Sequence, residues 1–278
     1  MEWRAAIGRL RKSPAGVAGA IIVGVLILIA VLGPFVAPYG PNIPDYAHIL
    51  QPPTLRHLGG TDEFGRDIFS RVLYGARISL GVGLLGTVAG LIPGVLLGLL
   101  AGFAGGWLDQ VAMRVIDVLL AFPGILLAIG MVAVLGPGLV NIVIAIGVFG
   151  IPTYARIARG STIQVIGTDF VEAARAQGST PRRLMFVHIL PNILTPIIVI
   201  TTLRIAGAIL TEAALSYLGL GAQPPTPEWG AILSDAQNYL VTSPYMALLP
   251  GIALVVAVLG FNLLGDGLRD ALDPRLRT

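Results

Sequence analysis

The sequence predicts an all-α membrane protein with six transmembrane helices. Three observations carry this. Of 278 residues, 55% are hydrophobic and only 12% are charged, about half the charged fraction of a soluble domain. The mean hydropathy is +0.84. The charges also fall in clusters, leaving long uncharged stretches such as residues 17–36 and 118–155 between them. There is no cysteine, so disulfides, thiol chemistry and Cys-ligated zinc are excluded.

Residues 1–16 read as a short basic tail with Arg4, Arg9, Arg11 and Lys12. Residues 17–36 follow as 20 uncharged residues, enough to cross a hydrocarbon core of ~30 Å at 1.5 Å per residue. A basic start before an apolar run also describes a signal peptide. This run exceeds the usual apolar region of one, and a retained first span is the reading adopted.

Residues 37–77 form a Pro- and Gly-containing polar loop. Its second half, GTDEFGRDIFSRVLYGARISL, predicts an amphipathic helix capped by Thr61. Asp62 with Arg66, and Asp67 with Arg71, stand at i,i+4, and Phe64, Ile68 and Val72 recur on the other face.

Span 2 is expected from about Ser79 to Phe103. Gly86, Gly90, Gly94, Gly98 and Gly102 recur every four residues, a small-residue ridge that lets another helix backbone approach closely. Pro93 predicts a local bend. A short loop with Asp109, Arg114 and Asp117 is expected next. The uncharged stretch 118–155 suits spans 3 and 4, turning at Gly136-Pro137-Gly138, with span 4 ending near Pro152 and Tyr154.

Residues 169–192, DFVEAARAQGSTPRRLMFVHILPN, are the longest polar interruption with helical character. Asp169 and Glu172 suit a capping box. Gly178 suits a left-handed helix end. Thr180 and Pro181 suit a second start. The residues alone specify helix, Gly turn, helix beside the membrane, which could serve only as an interfacial anchor. Span 5 is expected from near Ile193 to Thr211 and contains Arg204. A mid-span charge is costly and usually faces a polar path or a partner, although pairing with a carboxylate or carbonyl would also explain it. Glu212 is expected near the far surface. Residues 212–243 read as an outer loop without Lys or Arg, span 6 as residues 245–264, and the tail as basic, with Arg269, Arg275 and Arg277.

Thirteen Lys and Arg lie on the side of the termini against four in the opposite loops. The positive-inside rule therefore puts both termini and the 156–190 loop in the cytoplasm.

Several chemistries lack their residues. The single lysine, Lys12, follows no glycine-rich phosphate loop, and no hydrolase or zinc-protease motif is present. His48, His57 and His188 lie in predicted loops without a surrounding motif. No catalytic, cofactor or metal residue is assigned. The positive balance fits membrane orientation rather than nucleic acid.

The sequence Glu172-Ala173-Ala174, three residues, Gly178, then Leu190-Pro191 resembles the EAA motif of permease subunits of ATP-binding-cassette (ABC) importers. His188 departs from the commonest form, although the peptide and nickel branch often carries His there. GTDEFGRDIFSRVLYGARISL and ALSYLGLGAQPPTPEWG resemble C-type permeases of dipeptide, oligopeptide and nickel importers. The likeness spans residues 60–230. It implies a type I ABC importer permease fold, with a core of residues 78–267 that contains the coupling loop at 156–190. It also implies a heterodimer with a second homologous permease, two ATP-binding-cassette ATPase subunits that bind ATP and Mg, and an extracytoplasmic substrate-binding protein. The setting implied is a bacterial or archaeal inner membrane. Glu172, Ala173, Ala174, Gly178, Leu190 and Pro191 would contact the ATPase, making this chain a non-catalytic transport subunit. Arg204 is the candidate for the translocation path or subunit pairing. The implied cargo is a di- or oligopeptide, with nickel chelates and glutathione-like molecules as alternatives. A self-sufficient channel or secondary transporter and an intramembrane enzyme are the readings from other classes. The former is poorly served by Arg204, Glu212 and Asp266 as the only ionisable groups in or near the spans.

Overall fold

The computed structural model describes residues 8–272, so Arg4, Arg275 and Arg277 of the basic tails lie outside the described residues. Helix α1 is Pro14–Val36, with Ser13 as N-cap accepting from Gly16 N. The 37-residue α2 is Ile68–Ala104. Next come α3, Gly106–Leu120, and α4, Gly124–Leu135. Helix α5 is Leu139–Ile166 and α6 is Asp169–Ala176. A continuous helical run, α7, covers Pro181–Tyr217 and contains a π-helical stretch at Leu184–Ile189. Helix α8 is Trp229–Ala236 and α9 is Tyr245–Leu272. No strand occurs among the described residues.

Five helices (α1, α2, α5, α7 and α9) are long and apolar enough to cross a membrane. The pair α3–α4, bent by 87° at its break, makes a sixth when the two are counted as one span. The bend matters because α4 alone, at 12 residues, reaches only ~18 Å of a ~30 Å core. Ile21, Val25, Leu28, Leu32 and Phe35 of α1 are exposed, as expected of a surface solvated by lipid tails.

The most extensive helix pair is α2 with α5, and the glycine ridge explains it. Gly86 faces Ile146, and Gly90 faces Gly147 and Gly150. Gly94 faces Ile151 and Tyr154, Gly98 faces Ala155 and Ala158, and Gly102 faces Arg159 and Thr162. The ridge thus turns to a helix of its own chain. A second close seam joins α1 to α9, where Gly16 meets Gly267 and Gly19 meets Leu264.

Several expected boundaries are corrected. Residues 60–67 are not helical. Gly60 and Gly65 have φ of 73° and 74°, which a right-handed helix does not accommodate, and α2 starts only after Asp67, whose carboxylate caps Ser70 N at 2.7 Å. Thr61 caps nothing; its hydroxyl bonds Gln51 N and His48 O. The Asp62–Arg66 pair forms at 2.6 Å, but within a turn. Arg71 turns from Asp67 to Asp62 and Asp235, at 3.6 and 3.7 Å. Phe64, placed on the apolar face of the expected helix, is instead an exposed residue of this turn.

Residues 106–117, expected as loop, belong to helix α3, whose Asp109 and Asp117 bind Arg159 and Arg156 of α5. Helix α5 continues through Pro152 and Tyr154 to Ile166, so the expected 156–190 loop begins as helix. The helix that carries the expected fifth span, Ile193 to Thr211, is longer at both ends, running from Pro181 to Tyr217, because Pro181 and the run from Leu184 join α7 without a break. The helix of the last expected span continues to Leu272. Glu212 is fully buried rather than near a surface. Residues 212–217 and 229–236 of the expected outer loop are helical.

Candidate functional site

The segment between α5 and α7 is a helical elbow built by two caps. Thr168, rather than Asp169, is the residue before α6, and its hydroxyl donates to Val165 O at 2.5 Å instead of capping the new helix. Val171 and Ala174 turn inward. They join a cluster with Leu99, Tyr154, Ala158, Leu184, Ile189 and Ile193. Glu172 and Ala173 stay exposed. This is the 3.6-residue arithmetic of an eight-residue amphipathic helix, with one stripe anchored and the opposite one free.

Gly178 ends α6. Its φ is 82°, a conformation L side chains rarely adopt. Its N–H donates to Arg175 O at 3.0 Å, and Ser179 N donates to Ala174 O at 3.1 Å. Together these make a Schellman motif. A Cβ on Gly178 would meet nothing within 4 Å, so glycine is needed there for the backbone angle and not for space. Thr180 Oγ1 accepts from Arg183 N at 3.4 Å, with Pro181 in the first turn. Leu190 is half-buried and Pro191 exposed at the start of the α-helical part of α7. The elbow therefore presents Glu172, Ala173, Gly178, Arg182 and Arg183 outward on a base fixed to α2, α5 and α7.

Helix α3 flanks this elbow. Arg159 of α5 grips Asp109 through two bonds, Nε–Oδ1 at 2.5 Å and Nη2–Oδ2 at 2.6 Å. Arg156 Nη2 reaches Asp117 Oδ1 at 2.8 Å. Both arginines fall in the stretch that opens the expected 156–190 loop. Their spacing of three on a helix, opposite Asp109 and Asp117 on another, was the available signal.

Arg204 lies in the middle of α7. Its guanidinium carbon sits 4.8 Å over the Phe149 ring centroid, a cation–π arrangement. No carboxylate pairs with it among the described residues. A Cβ on Gly150 would stand 3.5 Å from the Arg204 Nη2, so the guanidinium packs over this glycine. The structure thus answers the carboxylate pairing considered for Arg204 with an aromatic face instead.

At the other end of the molecule lies a polar cluster that the sequence reading missed. Asp62, Arg66 and Arg71 are buried there, with Asp235 of α8 at 3.7 Å from both arginines. Arg71 Nη1 also donates to Pro41 O at 3.2 Å. Burial pushes the carboxyls of Asp235 and Glu63 above their usual range; for Asp235, Arg71 and Arg66 oppose the shift. These residues border a pocket of about 400 Å³ together with Gln223, Pro225, Thr226 and Ser234. Glu228 closes the cluster inward. It caps α8 through Gly230 N at 2.6 Å and Ala231 N at 2.8 Å. Trp229 is buried beside it and donates Nε1–H to Val72 O at 3.0 Å.

The chain matches two families. Residues 94–278 match the binding-protein-dependent transport system inner membrane component, and residues 2–53 match the N-terminal TM domain of oligopeptide transport permease C. It is 48% identical over 276 residues to the glutathione transport system permease protein GsiD of Escherichia coli O1:K1 / APEC, covering 99% of this chain and 90% of that protein. It is 47% identical over 276 residues to the dipeptide transport system permease protein DppC of Alkalihalophilus pseudofirmus, covering 99% and 91%. Among solved structures, the inward-facing MetNI methionine ABC transporter superposes with a TM-score of 0.60 at 20% identity, over 73% of this chain and 96% of that one. This last likeness speaks to the fold alone.

Proposed function

The chain belongs to the family of binding-protein-dependent transport system inner membrane components, the permease subunits of ABC importers, and from that membership we propose that its cargo is a short peptide. The observation that carries this is the near-equal identity to relatives named for two different peptide cargoes. The glutathione permease at 48% and the dipeptide permease at 47% align over the same length of chain. Glutathione is itself a tripeptide with one unusual linkage. What the two cargoes share is a small zwitterion with one to two peptide bonds, and that shared chemistry defines the cargo class. A dipeptide or oligopeptide is the first reading, and glutathione is the second.

The work of moving it is alternating access, with both termini and residues 156–190 in the cytoplasm. Glu172, Ala173 and Gly178 form the contact with an ATPase subunit, with the inward-turned Ala174 and with Leu190 and Pro191 behind them. The exposure of Glu172 and Ala173 above the anchored Val171 supports this, since a lever must be free on one face and fixed on the other. ATP and its Mg are bound and hydrolysed in two such subunits. A second permease completes the path as a heterodimer. The apolar outer face of α3 and α4, with Val111, Val115, Val118 and Val134 exposed and Phe122 exposed at the break between them, supports a helical partner there. Arg204 lies on the path or at that seam. An extracytoplasmic binding protein delivers cargo to the end bearing Asp235 and Arg71.

The test is co-purification from native membranes in mild detergent, then ATP turnover in the recovered complex with its binding protein. A second permease and P-loop ATPases should accompany the chain. Dipeptides or glutathione should raise turnover, and methionine or nickel chelates should not. A homo-oligomer without ATPase would overturn the reading, and stimulation by nickel chelates alone would overturn the cargo.

A further inference from the structure

The loop between α1 and α2 gathers two of the three histidines in the chain. Asp45, His48 and His57 each offer a donor atom within 4.8 Å of the others. The cluster is held by a laced backbone. Asp45 N donates to Phe64 O at 3.1 Å, Leu50 N to Asp62 O at 3.1 Å and Thr61 N to Gln51 O at 3.0 Å. Thr61 Oγ1 closes on His48 O. His48 sits in a one-turn 3-10 helix, Tyr46–His48, at the edge of the surface. His57 is buried, and its ring stacks on Tyr39 at 4.8 Å. The two imidazole centroids are 6.0 Å apart.

A second feature points independently to a ligand. His57 Nδ1 lies 2.9 Å from Oδ1 of the buried Asp67. A carboxylate at that distance holds the proton on Nδ1 and leaves the Nε2 lone pair free. Asp67 is itself fixed, because its other oxygen caps α2 at Ser70 N. A carboxylate behind an imidazole is the orienting arrangement that metal-ligating histidines almost always carry. His48 Nδ1 and Asp45 Oδ2 are hydrogen-bonded at 2.7 Å, a pair that gives up its shared proton and opens by about half an ångström to take one ion.

We propose that Asp45, His48 and His57 form a binding site for a borderline first-row divalent cation, with Asp67 as the positioning residue behind His57. Two imidazoles and a carboxylate are a donor set suited to zinc or its neighbours rather than to magnesium or calcium. Donors on a tetrahedral zinc stand roughly 3.3 Å apart at bonds of about 2.0–2.1 Å. The present 4.8 Å limit therefore requires a small closure, which the exposed turn bearing Asp45 and His48 can supply while His57 stays put. A water completes the shell. The bound ion would cross-link the 45–57 loop to the start of α2, independently of the cargo.

The probe is Zn²⁺, titrated in competition with a chromophoric chelator onto the full chain, purified with a histidine-free tag and stripped with EDTA. One Zn²⁺ per chain is expected. His48→Ala and His57→Ala should each weaken it at least tenfold. His188→Ala, in the π-helical stretch of α7 beside the elbow, should leave it unchanged. Asp67→Asn keeps an oxygen for the Ser70 cap and should weaken binding about 10- to 100-fold, with the metal-free thermal midpoint unmoved. His48 is on an exposed turn, so failure to fold does not explain its result. No stoichiometric uptake, or uptake indifferent to His48→Ala, overturns the site. So does uptake abolished by His188→Ala.

Discussion

Glu228 Oε1 accepts a hydrogen bond from Ser79 Oγ at 2.9 Å, joining two buried residues 149 positions apart in the sequence. The same carboxylate caps α8, and the Ser79 hydroxyl in turn accepts from Trp229 N at 3.2 Å. One side chain thus serves both a helix end and the long-range tie that seats α8 on α2. Glu228→Ala removes the cap and strands buried donors, at a cost of about 3 kcal/mol. It should lower the melting temperature in detergent clearly, and Glu228→Gln, which keeps an acceptor, should lower it less. An alanine variant that melts with the parent protein would refute the account.

The glycine ridge makes a graded forecast. At Gly90 a Cβ would stand 2.5 Å from Gly147 O, a backbone atom that cannot step aside. Gly81 is on the same helix with nothing within 4 Å. Gly90→Val should abolish recovery of folded chain. Gly81→Ala should stabilise by about 0.5–1 kcal/mol, the ordinary gain in a helix interior. Thermal shift of both variants decides the matter, and equal behaviour would remove the ridge from the packing argument.

The Arg159–Asp109 pair is bidentate but partly exposed, with side chains 33% and 15% accessible. A double-mutant cycle should therefore return a coupling of about 1 kcal/mol, more than a typical surface pair and well short of a buried one. The charge-exchanged double variant should recover part of the loss. A coupling indistinguishable from zero would mean that α3 is held by its apolar face alone.

Gly178→Leu tests the elbow. Open space surrounds the residue, so the cost is that of the left-handed angle, roughly 1–2 kcal/mol. Insertion and assembly should survive while substrate-dependent ATP turnover of the complex falls sharply. Turnover at the parental rate would remove the elbow from the coupling path.

The helices themselves were readable because lipid imposes long uncharged runs and the spacing of four in the α2 glycines has one plain meaning. Gly178 was readable for a similar reason, since few residues tolerate a φ of 82°. The start of α2 was not. Asp62 and Arg66 stand four apart both in a helix and in the turn they actually form, so spacing alone could not choose. Gly60 and Gly65 held the information, being the positions where a Cβ would strike Gln51 O and Asp45 O. Helix α3 was hidden by its charges, because Asp109 and Asp117 read as loop until Arg159 and Arg156 are seen to meet them. His48 and His57 share no recognisable spacing and were brought together only by the fold of the 45–67 loop.

The run Pro181–Tyr217 is one rod, roughly 55 Å long at 1.5 Å per residue. Its near end carries the elbow, its middle carries Arg204, and its far end carries Glu212 and Ser216, the latter bordering the same pocket as Arg71 and Asp235. The elbow and the far end are therefore parts of one covalent, hydrogen-bonded run, and the wider π turn at Leu184–Ile189 is where its helical register changes between them.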